Sequence, residues 1–261
     1  MNSAQKQYTN EMRRKFGYYA TWNPGLPLKL GDYGLMKNNI FNRISNIEKL
    51  NIKFETREDN NNVDLEHNSN GSVALTTKLS GAIPPIGSVL EILDAGIIVE
   101  FLKKKSTLFK ANKTKTPSIE DVTKLGDEII KLYKAGKWNN RWVIITELIV
   151  AESATILISN TSSGKIELKA NAKIDLPNID IADATFNFST LFSRGLVTNI
   201  IANEGLTPLF KIMGMKTNIL NPQNFEPISA SDKLDLITPE SVGLINKNNI
   251  FFGELSNEDL I

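Results

Sequence analysis

His67 is the only histidine in a chain of 261 residues, and cysteine is absent. One imidazole and no thiol are too few to build a Ser-His-Asp, Cys-His or multi-histidine metal arrangement. Disulfides and cysteine-ligated zinc are excluded with them. His67 falls in the polar stretch DNNNVDLEHNSNGS with no partner motif beside it, and reads as a solvated loop histidine. The remaining candidates for acid–base chemistry are carboxylates such as Glu147 and Glu152. Both sit inside a strand pattern, and neither stands beside a glycine-rich or nucleophile motif. The expectation is a protein that is not an enzyme, with no cofactor and no metal site.

The elements around those residues are mostly strand-like. Residues 165 to 176 place Ile166, Leu168, Ala170, Ala172, Ile174 and Leu176 on one face, with Lys165, Glu167, Lys169, Asn171, Lys173 and Asp175 on the other, a period of two without exception. Residues 142 to 158 alternate less cleanly. Trp142, Ile144, Thr146, Leu148, Val150, Ala154, Ile156 and Ile158 share a face with Glu152, and the opposite face mixes Ile145, Ile149 and Leu157 with polar residues. From Ile97 to Ala111 the odd positions predict one long strand whose apolar face is interrupted by Lys103 and Lys105. Val73, Leu75, Thr77 and Leu79 begin a shorter strand that Pro84 and Pro85 break.

Helical spacing appears in fewer places. Ile119, Val122, Leu125, Ile129 and Leu132 predict a helix over residues 118 to 135, with Ser118 as N-cap and Gly136 closing it. Residues 1 to 16 suit a short polar helix before the strand-like YYATW, NRISNIEKL one or two helical turns, and PNIDIADATFNFSTLF a strand. RGLVTNIIANEGLTPLFKIMGMK reads as helix interrupted by Pro208. The fold class expected is α+β: a strongly twisted antiparallel sheet with peripheral helices and an extended C-terminal tail.

Thirty basic and twenty-nine acidic side chains nearly cancel, so bulk charge gives no reason to expect nucleic acid as a partner. Their distribution is uneven. Residues 1–216, the expected body, carry a net charge of +6, and residues 217–261 carry −5. Leu244, Ile250, Phe251 and Phe252 are among the apolar side chains able to dock this acidic segment on the body, masking a basic surface until the segment is cut or moved. The start, MNSAQKQYTNEMRRKF, has no apolar core of the kind a signal peptide needs, and no run reaches a transmembrane length, so a cytoplasmic location is expected.

At NNRWVIITELIVAESATI the run from Ile144 to Ile149, with Thr146 and Glu147 between aliphatic pairs, resembles the Thr-Glu strand of gasdermins. The surrounding order is similar too: a β segment around LKLGDYGLM, a long strand with KKKSTLF, a helix, then two long runs, in outline over residues 18 to 176. The size is like that of bacterial gasdermins. The resemblance implies a pore-forming protein held inactive by a short C-terminal segment and activated by a protease. It would then oligomerise into a membrane β-barrel that permeabilises the cell's own membrane, as in cell death and antiphage defence. Barrel closure satisfies the backbone in lipid, which an isolated hairpin cannot do. Residues 73 to 80 with 97 to 111, and 142 to 158 with 165 to 176, would supply the two hairpins. Ile97, Val99, Phe101, Ile144, Leu148, Val150, Ile156, Ile166, Leu168 and Ile174 would insert. Lys103, Lys104, Lys105 and Lys110 would attract acidic phospholipid. The implied locations are the cytoplasm when inactive and the inner (plasma) membrane when activated. Bacterial gasdermins commonly carry an acylated amino-terminal cysteine, and this chain departs from them in having none.

The same patterns also fit a non-enzymatic protein-binding or assembly module, a twisted antiparallel sheet with helices on one side. Leakage of acidic liposomes after limited proteolysis, against stable partner binding without leakage, separates the two.

Overall fold

A computed structural model describes residues 3–59, 62–69, 71–171, 179–217 and 250–255. The chain begins with helix α1 (Ser3–Phe16), followed by strands β1 (Tyr19–Ala20), β2 (Asp32–Lys37) and β3 (Ile40–Asn46). Then come β4 (Thr56–Arg57), β5 (Val63–Asn68), β6 (Val73–Lys78), β7 (Gly96–Phe101), β8 (Thr107–Thr114) and β9 (Ser118–Ile119). Helix α2 (Val122–Lys134) precedes β10 (Trp142–Ser159), β11 (Gly164–Ala170), β12 (Phe188–Arg194), β13 (Leu196–Thr217) and β14 (Ile250–Glu254). Among the described residues every strand pairing is antiparallel and the two α-helices lie outside a strongly curled sheet, an α+β fold.

The described strands divide between two sheets. A large sheet is built on the β10–β13 pair, with β8, β2 and β14 among its neighbours, and a smaller one runs β12-β11-β7-β6. β10 is its spine: its side chains enter four separate apolar clusters, Ile156 in one, Leu157 in a second, Ile144 in a third and Leu148 in the fourth. Eighteen residues stay extended because both faces are covered along most of the length. The pairing with β13 shifts register beyond Ile145, Ile149 and Ala154. Each extra residue re-aims the side chains after it, so strict alternation does not survive along β10.

Several expectations change here. Residues 97 to 111 are two strands in different sheets, because the chain turns at 102–106, where Lys105 has φ of 64°. β10 and β11 likewise follow one another without pairing: β10 stays in the large sheet, and β11 joins β7 and β12. The stretch around Pro208 is strand and not helix. Thr207 and Pro208 fall at a register shift of β13, where the missing proline N–H interrupts no ladder bond. Pro208 still serves the sheet, since its carbonyl accepts the Thr21 N–H at 2.9 Å. NRISNIEKL divides into the end of β3 and a 3-10 turn, Ile47–Leu50, capped by the Asn46 side chain. Helix α2 starts later than expected because Asp121, and not Ser118, caps it: Asp121 Oδ1 accepts the Lys124 N–H at 2.8 Å. Gly136, at φ of 72°, follows its end.

Helix α1 is more apolar than its composition suggests. Ala4, Tyr8 and Met12, spaced four apart on one face, are buried against Phe109, Ile156 and Leu209. Burial pushes the Tyr8 phenol well above its ordinary pKa.

Candidate functional site

The strand positions of interest lie inside the molecule. Ile97, Val99, Phe101, Ile166 and Leu168 are all buried in one cluster beneath the small sheet, joined by Leu157 of β10. Ile156, Ile144 and Leu148 are equally buried but belong to the other three clusters, and Val150 is half-buried beside Leu148. The fold therefore brings five of the ten together and disperses four. Ile174 lies outside the described residues. None of the described nine is more than half-exposed. No described helix is long and apolar enough to cross a membrane.

The four lysines divide in the same way. Lys103 and Lys104 are exposed on the turn between β7 and β8. Lys105 is half-buried and lines a cleft of about 420 Å³ with Lys6 and Arg14 of α1. Lys110 is engaged elsewhere, its ammonium 3.0 Å from Asp180 Oδ2. Hydrogen bonds from Ala182 N–H, Lys110 and Asn112 hold the Asp180 carboxyl below its ordinary pKa although burial raises it.

His67 is not a solvated loop residue. It belongs to β5, and its Nε2 lies 3.0 Å from Glu11 Oε2 on α1, with both side chains largely buried. The same oxygen accepts the Ser69 hydroxyl at 2.8 Å, and Ser69 Oγ accepts the Thr107 N–H at 2.9 Å. Burial raises the Glu11 pKa, but the hydrogen bonds from His67, Gln7 and Ser69 outweigh it and hold the carboxyl below its ordinary value. This network ties α1 to the start of β8, next to the lysine turn.

Glu147, the acidic member of the Thr-Glu run, leaves β10 toward β13. Its Oε1 accepts the Tyr18 hydroxyl and lies 3.1 Å from the Lys211 ammonium, which also stands 4.8 Å over the Tyr18 ring. Burial and this carboxylate raise the Tyr18 pKa. A polar cavity of about 300 Å³ opens beside the trio, with Arg57, Glu120 and Glu254 in its wall. Glu152 pairs with Lys113 at 2.7 Å on the surface. Both carboxylates thus serve in ion pairs. Among the described residues no group of three potential ligands could hold a metal ion.

The terminal segment contributes a strand. β14 pairs with the end of β13, Phe252 opposite Met215 and Glu254 opposite Met213. Phe252 packs with Met215 and the α2 side chains Leu125 and Ile129. Leu255, which the sequence did not single out, is a deep anchor: 4 % exposed, it joins Tyr19, Val143, Ile145 and Phe210. Its carbonyl accepts from the Tyr19 hydroxyl at 3.3 Å and from the Arg13 guanidinium at 3.4 Å. The backbones of Ile250 and Phe251 lie opposite Thr217 and Lys216, while Leu244 is outside the described residues. No family model matches the chain, and no curated protein is significantly similar to it.

Proposed function

We propose that the chain is a gasdermin-like pore-forming protein, held inactive by its C-terminal segment and activated by proteolysis to oligomerise in the membrane. The docked terminal strand carries this reading. Its residues 250–255 close one end of β13 and bury Leu255 between the strands of the body, which is the contact an inhibitory segment needs. The segment brings negative charge to a positive body, a second contribution in the same direction. Burial of Ile97, Val99, Phe101, Ile166 and Leu168 in one cluster supports an inactive state in which barrel-forming side chains are kept from lipid. Lys105 lines a cleft with Lys6 and Arg14, and Lys103 and Lys104 are exposed on the same turn, a basic surface that supports attraction to acidic headgroups.

The test is to insert a specific protease site in TNILNPQNFEPISASDK and cut the purified, folded protein in the presence of acidic, dye-loaded liposomes. Cutting should release dye, and the uncut protein should not. Expression of residues 1–225 in bacteria should arrest growth with loss of membrane potential, whereas the full chain should not. Cleaved protein that stays monomeric and leaves liposomes intact rejects the pore and favours a protein-binding module.

A further inference from the structure

The connection between β6 and β7, residues 79–95, inverts the usual polarity of a surface loop. Several polar groups hold it from beneath, while Ser80 and Glu91 stay exposed. Lys78, itself 3 % exposed, donates from Nζ to the carbonyls of Leu79 at 3.3 Å, Ile92 at 3.0 Å and Asp94 at 2.6 Å. Glu167, 1 % exposed on β11, accepts from Ser88 Oγ at 2.6 Å and Val89 N–H at 2.8 Å, and pairs with Lys165 at 2.8 Å. Asp94 accepts the Glu91 N–H at 2.9 Å and pairs with Lys169. Burying a charge is costly unless it is paired or hydrogen-bonded: Glu167 and Asp94 each have a lysine and hydrogen-bond donors, and Lys78 has three carbonyl acceptors. The result is a loop held from beneath at both ends and in the middle.

Its large apolar groups, except the buried Leu90, turn outward. Ile83 is 88 % exposed, Ile86 106 % and Leu93 81 %, with Leu79, Val89 and Ile92 also exposed. Isolated exposed aliphatic residues are ordinary, but six on one clamped loop form a patch. From Leu79 to Leu90 there is no charged side chain. Pro84 and Pro85, between the two most exposed isoleucines, have no N–H to desolvate, which lowers the cost of placing the tip in hydrocarbon.

We infer that the 79–95 loop is a rigid wedge that docks the folded, uncut chain on a lipid bilayer, acidic lipid not being required. The match is one of charge and exposure: the uncharged tip, residues 79–90, suits the headgroup–acyl boundary, into which interfacial amphipathic helices sink their apolar faces by about 5–10 Å. Neither cleft described above offers a second copy an apolar receptor for it. The two cavities described above are walled by charged groups such as Arg57, Glu147 and Lys211 in one and Lys6, Glu11 and Arg14 in the other. The inference stands apart from pore formation, since it concerns the intact chain and needs no cleavage.

The absence of cysteine makes the test clean. Ile86→Cys in the full chain is labelled with an environment-sensitive fluorophore and mixed with vesicles of phosphatidylcholine alone, with Lys49→Cys labelled as a control. The expected result is a blue shift at position 86, absent at position 49 and quenched by nitroxides near the acyl boundary. Ile83→Ser combined with Ile86→Ser should lower vesicle partitioning by at least about tenfold with an unchanged melting temperature. An unshifted label on vesicles overturns the inference. So does a shift in buffer alone that grows with protein concentration, which would assign the tip to self-association. Neither outcome bears on dye release after cleavage.

Discussion

A methyl group added to Gly126 would lie 3.0 Å from Cβ of Phe252, closer than nearly all such contacts allow. The one glycine inside helix α2 is thus the bed on which the terminal strand rests. Glycine costs a helix interior about 1 kcal/mol relative to alanine, and close approach of β14 offsets that cost here.

Gly126→Leu should therefore lift β14 while strengthening α2 locally. Hydrogen exchange at residues 250–255 should rise, with a net destabilisation of about 1–3 kcal/mol. If cleavage of the terminal segment activates the protein, this variant should leak dye without protease. Unchanged protection of 250–255 would show that the strand does not depend on the Gly126 surface.

Leu168→Asp tests what β11 does before any membrane is involved. Leu168 is fully buried beside Ile97 and Ile166, and an unpaired carboxylate there should cost several kcal/mol or prevent folding. The measurement is soluble yield and the denaturation midpoint. A well-folded Leu168→Asp protein would contradict the burial of this face.

The Glu11 network gives a pH dependence of defined sign. Because the folded carboxyl is held below its ordinary value, its contribution is complete above the unfolded pKa of about 4.3. It is lost as pH falls through the lowered folded value, because protonation then competes with the bonds from His67, Gln7 and Ser69. Glu11→Gln should flatten that part of the acid-unfolding curve and cost about 1–3 kcal/mol at neutral pH. Urea midpoints measured for both proteins from about pH 6 to about pH 3 decide this.

Lys78→Met keeps the length of the side chain and removes the ammonium. Three loop carbonyls lose a donor, at a cost of about 1–3 kcal/mol, and residues 79–95 should become protease-sensitive while β7 stays protected. A loop as resistant as the parent's would mean that Glu167 and Asp94 suffice to hold it.

How much of this could be read in the sequence depended on the range of the interactions. β11 and α2 were legible because one face of each is buried by many neighbours, which writes a clean period of two or of 3.6 into the chain. β10 was legible as strand but not in its faces, since bulges near Thr146, Val150 and Thr155 shift the register against β13. β13 was read as interrupted helix because Pro208 looks like a breaker until the register shift that houses it is known. His67 was misplaced because its partner, Glu11, is 56 residues away. Phe252 could be picked out by type, and Leu255 could not, as nothing local distinguishes it from other terminal leucines. The exposed isoleucines of the 79–95 loop resemble core residues in composition, and only their accessibility separates them.

β13 also sets a schedule. It is the partner of β1 and β10, so the large sheet cannot be completed until a nascent chain has been synthesised through Thr217. Thirty-two residues, 218–249, separate Thr217 from Ile250, and at roughly 5–20 residues per second a ribosome adds them in about 2–6 seconds. A sheet lacking β14 thus exists only briefly on each polysome. Until residues 250–254 have been made, the end of β13 keeps an unpaired edge, so β14 is the last of the described strands to join the large sheet.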